Sequence, residues 1–402
     1  MVLNIILAAL ALLSLALTLW QYVAAIRFPL HQRVADANFT PSVTLLKPLK
    51  GCDAETLHCL ESWFKQDYAA PAQILFGVMS ADDPACEIVR ALIARFPDRD
   101  AQLVICGESL GANAKVSTLA QLQRQAKHDV LVISDADVRV PPDLLSNIVA
   151  PLRNPEIGLA NCFYRLANPS TLAMQLETIA INADFWSQVL QSRSLKPLDF
   201  ALGAVMATTR KHLDAIGGFA ALVDFLADDY QLGHQIVQTG ARIELCPVVV
   251  ECWESRKNWG DVWRHQLRWA RTIRVCKPLP FFFSILSNVT LWPMLWLLAS
   301  LSSTDISFSS SAGPAIPVVT GQVHSIFALW GAIGCLLARI ITALDQQRRL
   351  GQTTMHFGFF WLVPVKDLLG VAVWALSFLG NRVDWRGQRY RVLRSGKLFR
   401  VC

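Results

Sequence analysis

The sequence predicts an α/β domain with a mostly parallel sheet, carried between membrane-spanning helices at its N-terminal and C-terminal ends. Three observations predict it. Between residues 39 and 277, short β-branched runs alternate with helical stretches, the rhythm of βαβ units. Met1 to Ile26 contains no charged side chain, and the final third returns to long apolar runs. Only 17% of the 402 residues are charged while 53% are hydrophobic, with a mean hydropathy of +0.35. A soluble protein carries about 25% charged residues, so the deficit is local and belongs to membrane segments.

The first apolar stretch is long enough to cross a bilayer core, which needs about 20 residues. It has no basic n-region, and Arg27 and Arg33 follow it. This predicts an uncleaved anchor, residues 1–27, with its basic flank in the cytosol.

The domain then runs in order. Residues 42–47 (SVTLLK) predict a strand, 51–66 a helix, and 73–79 (QILFGVM) a second strand. Pro84 can begin the helix 85–96, because the first helical position needs no amide hydrogen. A third strand at 102–106, a polar loop and a helix at 116–127 lead to VLVISDADVR, residues 130–139. Past Pro141, residues 158–164 and 200–208 are strands around a helix at 171–191. The apolar stripe Leu172, Leu176, Ile179, Ala183, Trp186 and Leu190 marks one face of that helix, which ordinarily packs on the core; Phe185 and Val189 widen it, which offers the alternative that part of it meets lipid. A helix at 210–216 stops at Gly217-Gly218. Another begins at Asp228, a strand follows at 241–245, and 253–274 is rich in Trp and Arg.

The C-terminal block, 278–381, predicts spans at 279–301 and 317–339 and a broken segment at 357–380. There Lys366-Asp367 divides two apolar halves, each too short to cross alone, so a broken, re-entrant or interfacial element is expected; the alternative is one continuous span with a buried Lys–Asp pair. The tail 382–402 is basic, which favours the cytosol. Lys and Arg flank apolar segments rather than interleaving with aromatics, so membrane orientation explains the net charge of +6 and a nucleic-acid partner does not. Ten cysteines without a C-x-x-C pair argue against zinc and against a disulfide framework.

In an open α/β sheet, ligands bind beyond the carboxyl ends of the strands. Asp135 and Asp137 stand there, and two carboxylates so spaced suit Mg2+ or Mn2+ shared with a phosphorylated substrate. Taken alone, they suit a turn that closes a strand better than a metal site. They are not alone. Asp82-Asp83-Pro84 follows one strand, Asp228-Asp229-Tyr230 heads a later helix, and His265-Gln-Leu-Arg268-Trp269 comes last.

This order resembles the family 2-type glycosyltransferases with their D, DxD, D, (Q/R)xxRW pattern. More closely, the chain resembles ceramide glucosyltransferases and the bacterial hopanoid-associated glycosyltransferases. The residues that carry the likeness are VTLLKPLKG (43–51), DDPA (82–85), GANAKVSTL (111–119), LVISDADVRV (131–140), the segment 203–219 ending in IGGF, ADDY (227–230), HQLRWARTIR (265–274) and VDWRGQRYR (383–391). His265 replaces the Gln or Arg of the pattern, as in the hopanoid-associated relatives. Phe185 stands where animal ceramide enzymes carry a histidine.

The resemblance implies a GT-A nucleotide-sugar-binding domain, residues 39–277. It implies inverting transfer of one hexose from a UDP-sugar to a hydroxyl of a membrane lipid at the cytosolic face of a bacterial inner membrane. Pro48 and Asp83 would face the nucleotide, although Asp83 can also simply cap its helix. Lys115 and Asp135 would face the diphosphate, and Asp135 and Asp137 the metal. Asp229 would be the base and Asp228 a helix N-terminal acid. His265, Arg268 and Trp269, at i, i+3 and i+4 on one helix face, would meet diphosphate and acceptor. Transfer of N-acetylglucosamine to a hopanoid polyol is the alternative. A processive polysaccharide synthase shares these acids but needs more spans, and a non-catalytic scaffold would not need them all.

Overall fold

The computed structural model describes residues 2–302, 307–308, 317–318, 322–385, 388–393 and 395–400. The chain forms two compact units. One contains Met1–Arg27, Gln175–Gln191 and Lys277–Gly380; the other contains Phe28–Met174, Ser192–Cys276 and Asn381–Cys402.

The second unit is built on a sheet of eight strands: β1 (Val43–Pro48), β2 (Ala72–Val78), β3 (Asp100–Ile105), β4 (Val130–Ser134), β5 (Val138–Arg139), β6 (Ile157–Leu166), β7 (Val205–Thr209) and β8 (Arg242–Cys252). They lie in the order β3-β2-β1-β4-β7-β6-β8-β5. The first four in that order are parallel, as the βαβ rhythm predicts. β7 then runs antiparallel to both β4 and β6, and β6 pairs in parallel with β8. β1 and β4 are buried at every position, which is why they read as continuous apolar runs rather than alternating ones. Leu46 lies opposite Ile133, so the C-terminal ends of β1 and β4 finish level with one another.

β8 extends to Cys252, well past the strand predicted at 241–245, because it pairs with β6 and then with β5. Residues beyond 381 form three short antiparallel strands, Arg382–Trp385, Gln388–Val392 and Leu398–Arg400. Val383, Tyr390, Val392 and Leu398 bury a face against Leu226. Main-chain bonds from Leu398 N–H to Asp224 (2.6 Å) and from Leu226 N–H to Gly396 (3.3 Å) complete the join. Arg386 and Arg394 of the basic tail lie outside the described residues.

In the other unit, Val2–Arg27 and Ser325–Gly351 are each long and apolar enough to cross a membrane. The predicted span 279–301 is instead two helical pieces, Pro278–Ser287 and Leu291–Ser302, bent by 51°. Asn288 causes the break: its side-chain oxygen accepts the N–H groups of Thr290 (3.2 Å) and Leu291 (2.9 Å) and so starts a new helix. The span predicted at 317–339 begins partly outside the described residues. Its helix, Gln322–Gly351, passes through Arg339 without stopping.

The interruption predicted at Lys366-Asp367 is also displaced. Both residues lie inside the helix Leu362–Ser377, and the break is the 3-10 turn Met355–Phe359 before it. The apolar stripe of 171–191 is buried at Leu176, Ile179, Ala183, Trp186 and Leu190, as is Val189, which removes that residue from a lipid-facing surface. The helix is not continuous: a π-helical turn, Ala180–Phe185, separates Leu172–Ile179 from Trp186–Leu195.

Candidate active site

The strand-end acids gather around one lysine. Lys115 sits in the first turn of the helix Ala114–Gln125. Asn113 caps that helix through the Val116 N–H (3.2 Å) and is itself held by the Phe225 carbonyl (2.8 Å). Ala112 N–H donates to the Asp224 carboxylate at 3.1 Å. A Cβ on Gly111 would lie 2.6 Å from Val223, so only glycine admits this approach. The GANAK motif thus docks one helix start onto the segment leading into another, Asp228–Gln238.

Across that join, the Lys115 ammonium lies 2.6 Å from Asp135 Oδ1 and 3.0 Å from Asp228 Oδ2. Burial lowers its proton affinity, but Asp135 and Asp228 outweigh burial and hold it well above the usual lysine range. Asp229 follows at the second helical position and accepts the Tyr230 N–H at 2.7 Å. Burial first, then the charge of Asp228, pushes its carboxyl up to about 6. A Cβ on Gly203 would stand 2.7 Å from Asp229 Oδ2; that glycine therefore makes room for the carboxylate.

The Asp-x-Asp turn is held from three sides. Asp135 N–H reaches the Ala204 carbonyl (3.4 Å), and the Asp137 carbonyl accepts the Trp253 N–H (2.9 Å). From β1, the buried Lys47 ammonium donates to Ser134 Oγ (3.3 Å) and to the Asp135 carbonyl, and lies 4.9 Å from the Trp63 ring. Burial lowers Lys47 to about 8. Asp137 rises to about 6 through burial, then through the charges of Asp135 and Glu254.

Mutually repelling acids of this kind fit a dication. Among the described residues no group of three His, Cys, Asp or Glu is set to hold an ion. Mg2+ ordinarily takes one or two carboxylates and completes its shell with substrate phosphates and water, so a pair such as Asp135 and Asp137 would be enough for the protein's share of such a site.

Pro48 and Asp83 form a neighbouring group. Both Asp83 oxygens accept the Gly51 N–H (3.0 Å each), and Oδ1 also caps the helix at Ala85 (3.0 Å). Gly51 adopts φ +68°, the left-handed conformation that favours glycine. The capping role weighed for Asp83 is present, and it ties the loop after Pro48 to the end of β2. His265, Arg268 and Trp269 are half-buried on the helix Trp259–Cys276, with the His265 and Trp269 rings 4.6 Å apart. Lys47, Gly203 and Glu254 were missed by sequence reasoning; Lys47, within VTLLKPLKG (43–51), and Gly203, within the quoted segment 203–219, lay in motifs that the resemblance covers without a role for either, and Glu254 lay in none.

A parallel half-sheet that delivers acids at its edge, joined to a half of mixed pairing, is the architecture of a GT-A-type fold. The fold matches that of a mannosyltransferase from Pyrobaculum calidifontis, solved with GDP-Man and Mn2+, over 91% of this chain and 97% of that one, with a TM-score of 0.53 and 21% identity. The chain belongs to glycosyl transferase family 21, whose model matches residues 3–398. Its relatives include ceramide glucosyltransferase 3 of Caenorhabditis elegans, 25% identical over 92% of this chain and 77% of that protein. An N-acetylglucosaminyltransferase of Rhizobium leguminosarum bv. viciae is 24% identical over 59% of this chain and 57% of its own length.

Proposed function

We propose that this glycosyltransferase moves a single sugar from a UDP-sugar to a hydroxyl of a membrane lipid, with inversion at the anomeric carbon. One observation carries the reading: Lys115 bridges Asp135 and Asp228, so one buried cation links the acid at the donor end to the base-bearing helix. The acceptor hydroxyl attacks C1 and its proton passes to Asp229, whose raised pKa suits a base that works near neutrality. The bond from C1 to the diphosphate oxygen breaks, and the nucleoside diphosphate leaves against Lys115 and Arg268. Mg2+ or Mn2+ on Asp135 and Asp137 would supply Lewis-acid neutralisation of that leaving group. Pro48 and Asp83 would border the nucleotide, with Asp83 acting through the loop it holds. His265 and Trp269 would form the acceptor-side wall.

The ceramide glucosyltransferase relatives favour glucose and a ceramide-like acceptor. The second reading is N-acetylglucosamine on a hopanoid polyol: the rhizobial relative favours that sugar, and His265 favours that acceptor. Arg27 and Arg33 support a cytosolic catalytic unit, as in a bacterial inner membrane. Purified enzyme supplied with Mn2+, UDP-glucose or UDP-N-acetylglucosamine, and ceramide or a hopanoid polyol should yield lipid heavier by one sugar, read by mass spectrometry. Polymeric product would establish the processive synthase, and donor turnover without glycolipid would remove the lipid acceptor.

A further inference from the structure

Gln175–Gln191 is the one stretch between residues 28 and 276 that belongs to the unit of apolar helices rather than to the sheet unit. Its flanking chain leads back into β6 and β7, adjacent strands of which β7 also pairs with β4, the strand that ends in Asp135. Asp184 lies within its π-helical turn, Ala180–Phe185, and π-turns recur where a helix is bent to a functional purpose.

Asp184 is enclosed by charge. Its two oxygens lie 2.9 and 3.0 Å from Arg339 Nη2, and Oδ2 also meets the Lys366 ammonium. Arg339 forks onto Asp367 through Nε and Nη2, both at 2.8 Å. Lys366 reaches Asp367 at 3.1 Å, and Thr290 Oγ1 donates to the same carboxylate at 2.7 Å. Side-chain exposure is 12% for Asp184, 7% for Arg339, 5% for Asp367 and 15% for Lys366. Two anions and two cations cancel, so loss of any single charge leaves the cluster unbalanced.

A neutral buried quartet offers little net stability over well-packed apolar residues, because desolvation offsets the Coulombic gain. Ionisable groups among membrane helices mark function more often than packing. We infer that the Asp184–Arg339–Asp367–Lys366 quartet is a positioning device for the acceptor side of the reaction. It pins the 175–191 segment among the apolar helices, where a lipid acceptor must reside, while the donor residues Asp135, Asp137 and Lys115 all belong to the sheet unit. The inference rests on the lipid-acceptor reading above.

The test separates the acceptor from the donor and position from charge balance. Wild-type enzyme and the neutral double variant Asp184→Asn/Lys366→Met are compared in nanodiscs for thermal midpoint, donor KM, acceptor-independent donor hydrolysis and acceptor KM. The expected result is an acceptor KM raised tenfold or more, with the midpoint unshifted and donor KM and donor hydrolysis within twofold of wild type. A purely structural quartet would leave acceptor KM within twofold once charge balance is restored, which overturns the inference; so does a donor KM that rises in step. Should the double variant not accumulate, Arg339→Lys keeps the charge but loses the fork. It should raise acceptor KM at least threefold with donor KM unchanged, and no rise overturns the inference. A wild-type enzyme that hydrolyses donor yet glycosylates no lipid instead defeats the lipid-acceptor reading, a distinct outcome.

Discussion

In the mechanism proposed above, Asp229 must be ionised when the acceptor hydroxyl attacks, in a position that disfavours ionisation. Burial and Asp228 raise its carboxyl to about 6, so kcat should fall tenfold per unit below pH ~6 and level off above it. The same shift acts on stability. A carboxyl whose folded pKa lies above its ordinary value of 3.8 stabilises the fold fully below that value, and loses its contribution as pH rises through about 6. Asp229→Asn should therefore abolish turnover, by about 10^3-fold or more, and leave donor binding intact. It should also raise the thermal midpoint at pH 8, a gain that vanishes toward pH 4. Gly203→Ala asks a different question. Its Cβ would sit 2.7 Å from Asp229 Oδ2, and a displaced carboxylate should lower kcat by roughly 10^2-fold with donor KM little changed. Steady-state kinetics on both variants checks these outcomes.

At the scale of elements, the short C-terminal strands bear on the active site through Leu226, two residues before Asp228. Leu398→Ala should remove about 2–5 kcal/mol of stability, seen as a lower midpoint. It should also reduce kcat about tenfold at temperatures where the variant is folded, because the Asp224–Phe225 segment that docks the Lys115 helix loses its support; full activity in a folded variant would contradict this. These dependencies mark what a linear chain discloses. β4 and its acids are local features, a fully apolar run ending in Asp-x-Asp, and so were legible. Lys47 was not: a lysine within a strand reads as a solvent-facing residue, and only its contacts with Trp63, Ser134 and the Asp135 carbonyl reveal it as an internal brace. Asp184 was hidden similarly. The 171–191 periodicity disclosed an apolar face, while the polar residues on the same segment find their partners at Arg339 and Lys366, far along the chain. The Lys366-Asp367 pair read as an interruption because an unpaired charge would break a span; paired, it sits within a continuous helix.

The whole molecule constrains its own membrane topology. Cys276 and Asn381 bracket the C-terminal helices, and both belong to the unit built on the sheet. A chain that leaves one side of a bilayer and returns to it crosses an even number of times. The bent pair Pro278–Ser287 with Leu291–Ser302, counted as one broken span, and the helix Ser325–Gly351 would provide two crossings. The 16-residue helix Leu362–Ser377 falls short of the roughly 20 residues a span requires, so it need not cross. This parity agrees with the basic character of residues 382–400 and resolves the conflict that a further full span would create with the positive-inside rule. Fused after Cys402 in a bacterial host, alkaline phosphatase should be inactive and a fluorescent protein bright, both on the side of the catalytic unit. Fused after Ser302, the phosphatase should be active. Phosphatase activity at the C-terminal fusion would require an odd number of crossings, and with it a separation of the tail strands from Leu226 that the hydrogen bonds of Leu398 and Gly396 oppose.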